Sequence, residues 1–323
     1  MLVRPGQDCT ILLLKIAYDQ ARFPCFSGWA WAGFFCVRFA ERLLPQRILS
    51  LSLWPAAAVW GLAEIRKRRR ARAAWQRLSK TAAFPSPASR RLWQAVGAHH
   101  ARFVYLFPDR LPERRWLKRC RLVGASDPIQ WPQRERRIVF ASLHFGPFET
   151  LPYWLRAHGL AVTVLVGRPA PRQKLKQRQY ALSPPSGVPV VLPVTELGRI
   201  REAVNQVRHL LVMMDVNRGR QIEVPFEQLV FRLATGAIRI AALTEADLIP
   251  CLTTVAGGWR FTIHFGAPVP PRYLGSAPDI PGAALHLLKE FMFVVRQDPA
   301  QCGYRFLSCI RAAESVPGDY GAE

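Results

Sequence analysis

Residues 138–149 read Ile138-Val139-Phe140-Ala141-Ser142-Leu143-His144-Phe145-Gly146-Pro147-Phe148-Glu149. The first six, apolar but for one serine, have the pattern of a strand buried on both faces. Such a strand delivers His144 to its C-terminal end, where open α/β sheets place their ligands. Gly146 permits a tight turn and close backbone approach, and Pro147 suits the first position of a following helix. On one continuous helix His144 and Glu149 would lie about 140° apart. They meet only where His144 precedes the helix and Glu149 lies in its first turn, the arrangement that the intervening Gly-Pro supplies. A carboxylate so placed accepts one imidazole N–H, fixes the tautomer and leaves the other nitrogen basic. The competing reading is a hydrogen-bonded structural histidine.

Beyond this stretch, short apolar runs alternate with amphipathic ones. Ala161–Val166, Val188–Leu192 and Leu210–Met214 read as further strands, and Pro147–His158, Arg172–Leu182 and Glu196–Arg208 as helices. Leu197, Ile200, Val204 and Val207 line one face of the last of these. A loop follows Met214, then a helix near Arg232–Ala246. Strands Ile249–Val255 and Arg260–Phe265 pair across Ala256-Gly257-Gly258, and a final helix covers about Ala283–Val295. The alternation predicts an α/β fold, a mainly parallel central sheet flanked by helices. Pro152 falls in the second turn of its predicted helix and should kink or restart it.

The N-terminal part differs in texture. Two uncharged apolar stretches, Phe23–Val37 and Ile48–Ala63, precede a basic cluster of Arg66, Lys67, Arg68, Arg69, Arg70 and Arg72. Both are shorter than the roughly 20 residues that span a bilayer. Residues 1–65 are expected to form an apolar helical membrane-anchoring segment, spanning or lying on the membrane. The basic cluster would then face anionic headgroups on the cytoplasmic face of the inner membrane. A buried helical hairpin with a solvated basic end is the other reading. Residues 66–311 form the expected main domain, with a basic helical part over 66–121 and an α/β core over 137–300; residues 312–323 are expected to be a loose tail.

Composition narrows the function classes. Hydrophobic residues make up 50% of the 323-residue chain, which excludes wholesale disorder. The formal net charge of +23 favours anionic partners: nucleic acid, anionic lipid surfaces or acidic carrier proteins. Seven cysteines without a C-x-x-C pair argue for free thiols over a disulfide framework or zinc site. No zinc-protease, nucleophile-elbow, phosphate-loop or dinucleotide motif occurs, so no metal or other cofactor is called for.

His144-Phe145-Gly146-Pro147-Phe148-Glu149 matches the H-x4-D/E motif of the glycerolipid and lysophospholipid acyltransferase superfamily. Several further segments follow in order. They are Val164-Leu165-Val166-Gly167-Arg168-Pro169, Gly187-Val188-Pro189-Val190-Val191, Leu211-Val212-Met213-Met214-Asp215 and Arg218-Gly219-Arg220. Val224-Pro225-Phe226, Ala234-Thr235-Gly236, Ile249-Pro250 and Phe265-Gly266-Ala267-Pro268 continue the series. Over about residues 40 to 300 the chain resembles the bacterial branch typified by the lipid A late (lauroyl/myristoyl) acyltransferases. It departs from that branch at Glu227-Gln228, where a second aromatic and Gly are usual, at Leu233-Ala234 before Thr235, and at Val216-Asn217 after Asp215.

The resemblance implies an acyltransferase of lipid A biosynthesis type. It would move a fatty-acyl chain from acyl-carrier protein or acyl-CoA to a hydroxyl of a phosphorylated membrane lipid or glycolipid. His144 is then the general base and Glu149 orients it. Backbone N–H groups near Gly146 and Phe148 are oxyanion candidates. Arg168, Arg218 and Arg220 would bind acceptor phosphate, a solvated surface charge being the alternative for each. Asp215 would hold one of these arginines or form a structural ion pair. The competing function is a non-catalytic basic membrane- or nucleic-acid-binding protein, supported by the 66–72 cluster. No nucleic-acid module is present, and no nucleic-acid partner is expected.

Overall fold

The computed structural model describes Leu78 and residues 120–124, 137–148, 151–157, 160, 162–166, 190–193, 209–216, 219–256 and 260–312. All of them belong to one compact unit, Pro55–Glu323. The apolar stretches near the N-terminus, the 66–72 cluster and the helices expected over 172–182 and 196–208 lie outside the described residues. Among the described residues no helix is long and apolar enough to cross a membrane.

Seven strands make the main sheet: β1 (Cys120–Gly124), β2 (Ile138–Ser142), β3 (Val162–Val166), β4 (Val190–Pro193), β5 (His209–Met213), β8 (Asp247–Ala256) and β9 (Arg260–Phe265). Their order is β1-β9-β8-β2-β5-β3-β4, and every pairing is parallel except the β8–β9 hairpin. The fold is α/β with a mainly parallel central sheet, as the alternation predicts.

β2 lies in the middle of the sheet, and every residue of it is buried. Its side chains alternate between two cores, as the strand period of two requires. Val139 and Ala141 enter one, with helices α2 (Gly236–Thr244) and α3 (Ile280–Val295). Ile138 and Phe140 enter the other, with Leu151, Trp154 and Leu155 of α1 (Leu151–Ala157). Burial on both faces is why β2 carries no polar alternation.

Three elements differ from the sequence expectation. First, α1 begins at Leu151, so Pro152 is its second residue, where a backbone N–H has no intrahelical partner to lose; no kink is needed. Second, α3 begins at Ile280, ahead of the expected Ala283. Asp279 caps it, accepting from the Gly282 N–H at 3.0 Å, and Pro281 fits the first turn. Third, the segment read as loop and helix after Met214 holds a hairpin, β6 (Gln221–Phe226) and β7 (Leu229–Ala234). Its two-residue turn places Glu227 at φ 54°. β6 is the edge of a separate three-stranded sheet, which is where a strand tolerates Pro225. The third strand, β10 (Ile310–Ala312), pairs with β7, so chain expected to be loose from 312 is ordered through Ala312. β1 likewise takes Cys120 and Arg121 out of the expected helical region.

β9 carries a pH-sensitive group. Burial first, then the Arg121 charge, pulls the His264 imidazole down to about 4. An unfolded-chain histidine titrates near 6.5. Between about pH 6.5 and 4 the unfolded chain therefore binds a proton that the folded protein refuses, and stability falls as pH drops through that window. Denaturant midpoints across it should decline, and His264→Gln should flatten the slope. An unchanged slope in that variant would remove His264 from the acid sensitivity.

Candidate active site

The register of two strands builds the site. β2 and β5 run parallel with Ser142 opposite Met213. Two residues beyond each strand end stand His144 and Asp215, so the same count from a shared level brings them together. The ladder reaches nearly that far, because the Met214 N–H donates to the Ser142 carbonyl at 2.8 Å.

Asp215 grips His144 twice. One carboxylate oxygen accepts the His144 backbone N–H at 2.8 Å, and the other lies 2.7 Å from ring Nδ1. The carboxylate is fully buried while the imidazole keeps 14% of its surface exposed. A buried carboxylate without partners would be costly, and these two charge-assisted bonds offset that cost. They also fix the ring chemistry: a carboxylate accepts at Nδ1, so Nδ1 carries the proton and Nε2 presents its lone pair outward. The sequence alone does not show this contact of Asp215. Its described partner is His144, and of the arginines expected beside it Arg168 and Arg218 lie outside the described residues.

The turn after His144 is held from two further directions. Gly146 adopts φ 53°, and a Cβ there would lie 1.9 Å from the Thr253 carbonyl oxygen, so a side chain is excluded. Its N–H donates to the Gln301 carbonyl at 3.0 Å, and the Gly303 N–H donates to the His144 carbonyl at 2.9 Å. Gln301, itself buried, exchanges two side-chain bonds with the Val255 backbone at the end of β8, 2.9 and 3.2 Å. Gln301 thus clamps the histidine turn, β8 and the C-terminal segment together. The clamp carries no sequence signal, because the two segments it joins to Gln301 lie 46 and 155 positions away in the chain. With its N–H so engaged, Gly146 is withdrawn as an oxyanion donor. Phe148 presents its ring edge-on to His144, centroids 4.6 Å apart.

Of the expected phosphate ligands, Arg168 and Arg218 lie outside the described residues, as does Glu149. Arg220 is described and exposed; its carbonyl accepts from the Thr235 N–H and hydroxyl ahead of α2. Arg305 belongs to none of the motifs in the sequence. It stands on α4 (Tyr304–Ser308), and its Nη1 donates to Nε2 of His144 at 3.3 Å.

The nearby thiol offers no covalent route. Burial, then the Asp215 charge, pushes Cys309 up to about 12, so it stays a thiol at neutral pH and is a poor nucleophile. What the arrangement can do is accept a proton at Nε2, with a buried carboxylate stabilising the imidazolium that results. Among the described residues no group of His, Cys, Asp and Glu could hold a metal ion.

The family model described as bacterial lipid A biosynthesis acyltransferase matches residues 21–304, most of the chain. No curated protein matches it.

Proposed function

The chain belongs to the bacterial lipid A biosynthesis acyltransferase family, and we propose that it acylates a hydroxyl of a phosphorylated lipid or glycolipid from an acyl thioester. Its being an acyltransferase sets aside the non-catalytic binding protein. The observation that carries the reading is the pairing of buried Asp215 with Nδ1 of His144, which leaves Nε2 unprotonated and able to act as the base once a hydroxyl takes the place of Arg305.

In this reading the acceptor oxygen adds to the thioester carbonyl while its proton passes to Nε2. Collapse of the tetrahedral adduct re-forms the carbonyl and breaks the C–S bond. The departing thiolate takes the proton back from the imidazolium, leaving an ester, a free thiol and neutral His144. Glu149, the acidic residue of the H-x4-E motif, is proposed as a further support of the imidazolium. Arg168, Arg218 and Arg220 supply guanidinium forks for acceptor phosphate. The donor is acyl-carrier protein or acyl-CoA; an acidic carrier suits the +23 charge.

The reading is tested with full-length protein in detergent, an acyl thioester and a phosphorylated glycolipid acceptor. Ester formation dependent on both substrates is expected, and Arg168→Ala should raise the acceptor KM more than the donor KM. Thioester consumption that gives only free fatty acid with every hydroxylated lipid offered would overturn the proposed acceptor class. Residues 1–65 and the 66–72 cluster are proposed to hold the enzyme to the cytoplasmic face of the inner membrane, where a soluble donor and an embedded acceptor meet. Recovery of the intact chain in the soluble fraction without detergent would end that part of the reading.

A further inference from the structure

Arg305 sits where a substrate hydroxyl must go. Its Nη1 donates to Nε2 of His144 at 3.3 Å, so the guanidinium occupies the lone pair on which the proposed chemistry depends. The backbone beneath it is fixed. The Ser308 hydroxyl donates to the Arg305 carbonyl at 2.6 Å, the Cys309 thiol approaches the same oxygen at 3.3 Å, and the Leu307 N–H donates to Gly303 at 3.1 Å. The side chain itself is exposed, and among the described residues no carboxylate pairs with it. A cation held on a short helix against a base, with no carboxylate partner among the described residues, is poorly satisfied by a neutral imidazole. A guanidinium recognises phosphate through paired, charge-assisted hydrogen bonds, and that is the group it would exchange the imidazole for.

We propose that Arg305 determines acceptor specificity: it caps Nε2 of His144 in the resting enzyme, and binds a phosphate ester of the acceptor when the acceptor hydroxyl displaces it. Exchange is natural because one lone pair takes one donor. The hydroxyl replaces Nη1 at Nε2, and the released guanidinium remains within a side chain's reach of the reacting oxygen. An acceptor with phosphate near its reacting hydroxyl satisfies both groups at once. An acceptor without phosphate must displace the guanidinium and leave its charge unmatched. The phosphodiester of a donor's pantetheine arm has the same chemistry, and comparing the two substrates separates the sources. The inference rests on His144 being the base.

The test uses the full chain as wild type, Arg305→Ala, Arg305→Lys and His144→Ala, with phosphorylated and enzymatically dephosphorylated forms of one glycolipid acceptor. Arg305→Ala should raise the KM for the phosphorylated acceptor by about 10- to 100-fold, the loss of one hydrogen bond to a charged group. It should also abolish the preference for the phosphorylated form, with donor KM unchanged; Arg305→Lys should recover part of both. A structural role for Arg305 would depress both acceptors alike and leave the preference intact. That outcome overturns the proposal, as does a rise confined to donor KM. An inactive His144→Ala beside an Arg305→Ala that keeps its phosphate preference removes this inference alone. An active His144→Ala removes the base on which it rests.

Discussion

Replacing His144 with Ala is expected to lower turnover by about 100- to 10,000-fold, the range for loss of a positioned general base. Among the described residues no second base stands at the ring: the neighbours of Nε2 and Nδ1 are a guanidinium and the carboxylate that holds the imidazole. The same change removes one of the two donors to the buried Asp215 carboxylate, which costs about 1–3 kcal/mol of stability. A lowered melting temperature would therefore accompany the lost activity and blur its meaning. His144→Asn separates the two effects. Its side-chain amide N–H can replace Nδ1–H toward Asp215, but nothing replaces Nε2. The Asn variant should recover part of the melting temperature and none of the turnover. Turnover near wild type in either variant, measured as acceptor-dependent ester formation, would place the base elsewhere.

The strand that presents this histidine was legible because burial on both faces leaves a local signature. Ile138–Leu143 is apolar but for Ser142 because two cores flank it, and the glycine two residues after His144 marks a backbone that tolerates no Cβ. The partner of the histidine was less legible. Asp215 reads as a polar residue ending an apolar strand, but a single chain does not state which strands are neighbours. Only once β5 is known to lie beside β2, with Ser142 opposite Met213, does the equal count to His144 and Asp215 become a contact. The β6–β7 hairpin was hidden by its composition. Pro225 and the charged Glu223 read as loop and Arg232 as the start of a helix, yet the edge strand β6 accommodates the first two and the exposed face of β7 the third. Gln301 and Arg305 were illegible for a third reason. Both act across more than 150 residues, through bonds that depend on where a short C-terminal helix docks, and no periodicity encodes that.

Asp215→Asn is the variant that distinguishes an orienting carboxylate from a structural one. Aspartate offers two acceptors, and His144 uses both, backbone N–H on one oxygen and Nδ1 on the other. Asparagine offers one acceptor and one NH2. If its oxygen stays on the backbone N–H, the NH2 faces Nδ1, which must then accept; the proton moves to Nε2 and the base is gone. If the amide flips, two N–H groups meet at the backbone and the turn is strained. Shape is conserved in both cases, so the main loss is chemical. The analogous exchange behind the histidine of a serine-protease triad costs on the order of 10,000-fold in kcat through the wrong tautomer. A loss of kcat between about 100- and 10,000-fold is expected here, with acceptor and donor KM little changed, because the carboxylate is fully buried behind the histidine. Glu149→Gln serves as the comparison, since the H-x4-E motif offers it as the rival orienting group. Should Glu149→Gln abolish turnover while Asp215→Asn leaves kcat at the wild-type value, the 2.7 Å contact is structural and Glu149 orients the base. A large loss in both would make the pair of carboxylates a joint support for one imidazolium. The double variant would then fall little below the worse single, as groups acting as a unit do.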